Sequence, residues 1–406
     1  METKENSSLE DASSSKLKQI LSGFYKDRDF TLFLIVGIFA GIAGGINSTI
    51  FNNFLNDTYK LSASGRGLVE FPRELPGMLI VIVLSLLSFL GNIRTAVLGM
   101  LLAALGMLGL GLFSPSFAVM LIWMMMFSLG THVFMPLAPG IGMSLSEKKN
   151  YGVRLGRYNA YSLAATIIGY TIVWLGFKYY HMNYAGAFVI AAVSYVFAAF
   201  FLGLMKKQKL RSRKPRFIFR KRYSLYYTLS IVNGARKQIF LTFAPWVLIQ
   251  VFHLTPPVFA VLGLIISLLS IMTRTIIGNA IDIKGERFVL SWEAVVLFVL
   301  CLGYAFAKDL FPASIAVVVI AGCYVLDNSM SAVEMARSTY VRKIALSAED
   351  VIPTLSAGTS FDHVIAMSIP YFGGLLWVTL GFKYVFLVAA GIAVLNFFLS
   401  LKIRID

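Results

Sequence analysis

The sequence predicts an all-α integral membrane protein of twelve transmembrane helices arranged as two six-helix bundles. Three observations predict it. Hydrophobic residues make up 58% of the 406-residue chain and charged residues only 14%, against roughly 25% in a soluble domain. Apolar runs of about 20 residues, the length that crosses the hydrocarbon core, recur from residue 30 to the C-terminus. A basic segment without a single acid interrupts them near the midpoint. The mean hydropathy of +0.76 points to lipid as the main solvent.

The elements follow in chain order. Residues 1–29 are polar, Ser-rich and mixed in charge. They lack the basic start, apolar stretch and small-residue cleavage site of a secretory signal, and read as a cytosolic tail, disordered over 1–15. Leu17, Ile20, Leu21 and Phe24 share one helical face, so an interfacial helix is expected over 16–25. The first bundle, 30–205, holds spans at 30–55, 66–90, 93–113, 116–140, 154–177 and 183–205. A basic linker, 206–222, follows. The second bundle, 223–406, holds spans at 223–252, 257–280, 288–307, 312–337, 355–380 and 383–403. The connections at 91–93, 114–115 and 381–382 are so short that their flanking helices must be antiparallel neighbours.

The formal charge of +16 invites a nucleic-acid reading, but the basic residues lie between apolar runs rather than on one amphipathic face. The positive-inside rule accounts for them. Segment 206–222 (KKQKLRSRKPRFIFRKR) carries ten of them, while the opposite side offers only Lys60, Arg66, Lys178, Lys308 and Lys383. Both termini are therefore expected in the cytosol, with the protein multi-pass in the cytoplasmic membrane. Cys301 and Cys323 sit inside apolar runs, so no disulfide framework is expected.

Residues 278–287 (GNAIDIKGER) carry the pattern Gly-x-x-x-Asp-x-x-Gly-x-Arg between spans eight and nine. Six plus six helices, cytosolic termini, a basic central loop and this motif resemble the major facilitator superfamily. The resemblance implies that Asp282 and Arg287 belong to a cytosolic latch that gates the conformational change. It also implies that spans three, six, nine and twelve lie outside while the other eight surround a cavity. The charges fit that division: Arg94, Glu293, Lys383 and Lys402 lie near the ends of the outer four. Between spans two and three only Gly91-Asn92-Ile93-Arg94 is present, without the acid. The Arg-centred motif of span four and the Gly-Pro motif of span five that mark many proton-driven drug exporters are absent.

Charges at membrane depth are costly, about 2.5–3.5 kcal/mol each at a helix centre on insertion scales, so those that persist face a cavity or a partner. Span two contains Glu70, Arg73 and Glu74. Their spacing allows a self-neutralising cluster near the outer end or a carboxylate that takes up a proton, and Pro72 and Pro76 loosen the backbone there. Span seven contains Asn233, Gly234, Arg236, Lys237 and Gln238. Adjacent helical residues point about 100° apart, and Arg236 suits either an anionic solute or a carboxylate from another span. Span ten contains Asp327, a proton site or the partner of Arg236, with Asn328, and a structural pair, Glu334 and Arg337. Span eleven begins with Asp362 and His363, a proton relay or a structural feature of the cytosolic mouth. His132 in span four is more often a satisfied core histidine than a ligand. Asn47, Asn52, Asn53, Asn159 and Tyr161, with Trp123 and Trp246, are candidates to line a polar and aromatic pocket. Gly37, Gly41 and Gly45 recur at four-residue spacing, as in close helix packing.

No phosphate-binding Gly-Lys-Ser/Thr loop, paired-histidine zinc motif or nucleophile elbow is present, so no cofactor, no metal and no enzyme chemistry is expected. The reading is a monomeric secondary active transporter of a small solute, anionic or zwitterionic in preference, working by alternating access and coupled to a proton or another ion. An exporter of amphipathic drug-like compounds is the alternative. A channel, or a receptor or enzyme on the same scaffold, is a rival from another class.

Overall fold

The computed structural model describes residues 28–145, 151–206 and 220–404. The interfacial helix expected over 16–25 and linker residues 207–219 lie outside them. Span one is Arg28–Tyr59, span three Asn92–Leu112, span four Phe117–Ser144, span five Tyr151–Tyr179 and span six Tyr184–Gly203. Span seven is Ser224–Gln250, span eleven Ala348–Leu380 and span twelve Phe382–Ser400. Side-chain caps start several of them: Ser116 accepts from the Val119 amide, and Asn183 from that of Gly186.

The remaining spans depart from simple rods. Span two is Ala63–Met78 followed by Ile80–Leu86 and a 3-10 turn, Ser88–Leu90. The break follows Pro76, which removes a backbone donor and crowds the preceding turn. Span ten is Ala313–Ser329 and Glu334–Ile344 with a 3-10 turn between. Spans eight and nine run together as Pro256–Leu310, and the chain reverses at Gly285, φ 80°. That left-handed conformation suits glycine. The reversal shows in the partners: Thr273 donates to the Ser329 carbonyl at 2.7 Å, Glu286 meets Lys343 at 2.7 Å, and Glu293 meets Arg337 at 2.5 Å. Moving forward through spans eight and nine thus goes down span ten and back up. The loop expected over 281–287 is a turn at one residue.

Among the described residues nine helices are long and apolar enough to cross a membrane. The 55-residue helix counts twice. Spans two and seven are not among the nine, and both carry buried charges, Arg66, Glu70 and Glu74 in one and Arg236 in the other.

Spans one to six pack as one bundle and seven to twelve as another. Gly41 and Gly45 set span one directly on the Ser162 and Thr166 carbonyls of span five, with no room for a Cβ. In the second bundle Tyr304 stacks on Phe386 at 4.3 Å with the Phe240 ring edge against both. Arg28 donates to the Leu204 carbonyl, and Ile403 belongs to the same buried cluster as Tyr223. Each bundle therefore begins and ends on one side, as an even number of crossings requires.

The bundles meet through the half away from the termini. Gln250 donates to Asn56 Oδ1 at 2.6 Å and to the Leu61 carbonyl, and Asn53 donates to the Leu254 carbonyl at 2.7 Å. Gly67 lies on the Pro370 carbonyl and Gly374 on that of Ala63. Segment Ala63–Met78 of span two packs on span eleven, whereas Ile80–Leu86 packs on span four of its own bundle. These contacts close the molecule opposite the termini.

Candidate functional site

A cavity of about 400 Å³ is walled by spans seven, nine, ten and eleven. Its lining holds three cations, Arg236, Lys237 and Arg337, and four carboxylates, Glu293, Asp327, Glu334 and Asp362. Asn233, Asn328, Tyr226 and Ser230 add neutral polar groups.

Each cation has a defined partner. Arg236 pairs with Asp327, and both side chains are less than 10% exposed. Lys237 meets Asp362 at 2.5 Å, and this pair is far more open, at 39% and 29%. The two neighbouring cations diverge as their helical spacing requires, one to span ten and the other to span eleven. Arg337 holds Glu293 at 2.5 Å and Glu334 at 3.1 Å. The Arg236 guanidinium also lies 5.1 Å from the Phe240 ring centre, a cation–π contact. Its Nε and the Asn233 Oδ1 are buried without a hydrogen-bond partner among the described residues. Such groups are costly to leave unmade, and a bound solute can satisfy them. Asn328 donates to the Tyr324 carbonyl at 2.8 Å.

Two expectations change here. Glu293, expected near the end of an outer span, is buried in the cavity wall, because the tight turn at Gly285 carries span nine back along span ten. Asp362 and His363, expected at the cytosolic mouth, lie some four helical turns inside, because span eleven already begins at Ala348.

The first bundle brings a second constellation. Glu70, 1% exposed, accepts from Arg66 at 2.5 Å and from Arg73 at 2.5 Å. Arg73 also holds Glu74 at 2.6 Å. Arg66, expected among the outer flanking cations, is itself buried, with Nε donating to Asn52 Oδ1 at 2.9 Å. Two bonds cross to the other bundle: Gln238 donates to Glu70 at 3.1 Å, and His363 Nδ1 to Glu74 Oε2 at 2.9 Å.

Other candidates lie elsewhere. Trp123 donates its indole N–H to the Phe113 carbonyl at 2.7 Å and packs where Gly109 has no Cβ. Trp246 is wholly buried in the second bundle. Neither indole, nor Asn47, is among the residues lining the cavity. The expected aromatic pocket is corrected accordingly: both rings pack against helices. Asn53 bonds across the outer closure, while Asn159 and Tyr161 are exposed. Asp282 and Arg287 are exposed as well. The ion pair in their segment is instead made by Glu286, fully buried against Lys343. Sequence reasoning passed over Glu286, Glu293 and Arg66 as members of polar turns and helix ends. Charged residues four apart, as Arg66 and Glu70 are, were the available signal for the last of them.

A family model described as Major Facilitator Superfamily matches residues 33–345. No curated protein matches the sequence. Solved structures share the architecture at low identity. A single-substitution variant of the nucleoside transporter NupG superposes with a TM-score of 0.75 at 13% identity, covering 92% of this chain and 99% of that one. A bacterial homologue of the human lysosomal transporter Spinster, inward-facing and occupied, gives 0.70 at 15%, covering 94% and 97%. A D-xylose–proton symporter gives 0.66 at 13%, covering 92% and 97%.

Proposed function

The chain belongs to the major facilitator superfamily, and from that premise we propose that it carries a small carboxylate-bearing solute, anionic or zwitterionic, by proton-coupled alternating access. The observation that carries this reading is the buried Arg236–Asp327 pair in the wall of a polar cavity. A guanidinium binds a carboxylate bidentately, so a solute carboxylate can take the place of Asp327. The exchange would strand a buried aspartate charge, which is costly. A proton on Asp327 removes that cost, so solute and proton enter together and the site stays neutral. Arg236 Nε and Asn233 Oδ1, without partners in this state, are further contacts for the solute. Lys237 and Asp362, the more open pair, screen it at the cavity entrance.

The basic residues favour the cytoplasmic membrane with both termini in the cytosol. The closure at Gln250, Asn53 and the span two–span eleven contact then faces away from the cytosol, and transport requires it to open and re-form. The polar lining argues against amphipathic drug-like cargo, which needs apolar surface.

Uptake and counterflow in proteoliposomes test this with a panel of carboxylate solutes and an imposed pH gradient. Asp327→Asn should keep labelled-for-unlabelled exchange while abolishing proton-driven accumulation, and Arg236→Lys should lose both. Gradient-driven accumulation that survives Asp327→Asn, or unchanged uptake in Arg236→Lys, sinks the reading.

A further inference from the structure

At the junction between the bundles a second imidazole, that of His132, joins the His363–Glu74 contact. One carboxylate oxygen of Glu74 and one ring nitrogen each of His132 and His363 lie within 4.8 Å of one another. We propose that these three residues form a binding site for a divalent transition-metal ion of the zinc type, and that the ion clasps the bundles in the state closed opposite the termini.

The donor set is two imidazoles and one carboxylate, which suits zinc and leaves a fourth position for water. Tetrahedral ligands at about 2.0–2.1 Å from zinc stand ~3.3 Å apart, so the most distant donors need to draw in by up to about 1.5 Å. His132 Nδ1 faces the Ser128 carbonyl at 2.9 Å. A donation there fixes the tautomer and leaves Nε2 bare, the arrangement that second-shell carbonyls give to metal-binding histidines. Gly77 lets both rings approach its helix closely: a Cβ there would stand 2.6 Å from His132 Nε2 and 2.7 Å from His363 Cε1. Glu74 is oriented by Arg73 on its other oxygen at 2.6 Å. That cation does not repel the ion outright, because Arg66, Glu70, Arg73 and Glu74 sum to zero charge. Both imidazoles are partly exposed, so an ion has access.

The clasp follows from chain position. Glu74 and His132 belong to spans two and four of the first bundle, while His363 belongs to span eleven of the second. An ion bound to all three opposes their separation, which opening of the outer closure demands. No spacing rule reveals such a site, since its members are 58 and 231 residues apart along the chain.

The test uses the purified full chain with Co²⁺ as a spectroscopic probe, then Zn²⁺ and Mg²⁺, and needs no knowledge of the transported solute. Co²⁺ should give visible ligand-field absorption that one equivalent of Zn²⁺ erases. Zn²⁺ but not Mg²⁺ should raise the melting temperature. Both effects should vanish in His132→Gln and His363→Gln, chosen for variants whose metal-free melting matches the parent. Ser64→Cys, placed at the closure beside Gly374, should react more slowly with a maleimide when Zn²⁺ is present; Cys301 and Cys323 are buried and add little background. No Co²⁺ absorption in the parent, or absorption that survives either histidine substitution, overturns the site. Unchanged Ser64→Cys labelling overturns the clasp.

Discussion

The two bundles handle buried charge in different ways. In the first, the chain Arg66–Glu70–Arg73–Glu74 runs along one proline-bearing helix segment, each member three, four or one residue from the next. In the second, the pairs Arg236–Asp327, Lys237–Asp362 and Arg337–Glu293 each join different spans. The first arrangement assembles its ion pairs along one helix, with Gln238 and His363 of the other bundle attached by hydrogen bonds. The second ties four spans together, so changing any partner changes how those spans pack. A cavity built on inter-span pairs is one where binding and conformational change draw on the same bonds.

The sharpest way to break that comparison is to remove one member from each side. Arg236→Ala leaves Asp327 buried without its cation, and loss of one partner from a buried pair costs about 3–5 kcal/mol. Thermal unfolding in detergent should show it, and Arg236→Ala with Asp327→Ala together should recover much of the loss. Glu70→Gln should cost less, about 2 kcal/mol, the scale of a charged hydrogen bond. Arg73 keeps Glu74, and Arg66 keeps Asn52. Equal losses for the two variants would erase the distinction between a local chain and an inter-span pair.

The same distinction sets what the sequence discloses. Architecture was legible because lipid imposes a length and a polarity on each crossing, and because a basic linker at the midpoint separates two similar halves. The Glu70–Arg73 contact was legible too, since helical spacing alone brings them together. Arg236 with Asp327 was legible only as one of two alternatives: composition says a buried cation needs a partner without saying which. Lys343 with Glu286 and Arg337 with Glu293 were hidden, because they depend on the chain reversing at a single glycine, Gly285. The aromatic pocket misled, since Trp123 and Trp246 are apolar enough to pack between helices away from the cavity. His132 meeting His363 needs both bundles in place, and no local pattern carries it.

The smallest effect on stability discriminates best for function. Lys237 and Asp362 are both partly open to solvent, so breaking the pair should cost under about 1 kcal/mol. Transport should nevertheless respond with opposite signs to the two halves of the pair. Lys237→Met leaves an unpaired carboxylate at the entrance, which repels a carboxylate solute, and KM should rise about tenfold, equivalent to roughly 1.4 kcal/mol. Asp362→Asn leaves an unpaired cation there, and KM for the same solute should fall. A pair that served packing alone would move melting temperature and KM in the same direction in both variants. Opposite signs of KM with near-parental melting in each would place the solute's charge at this entrance.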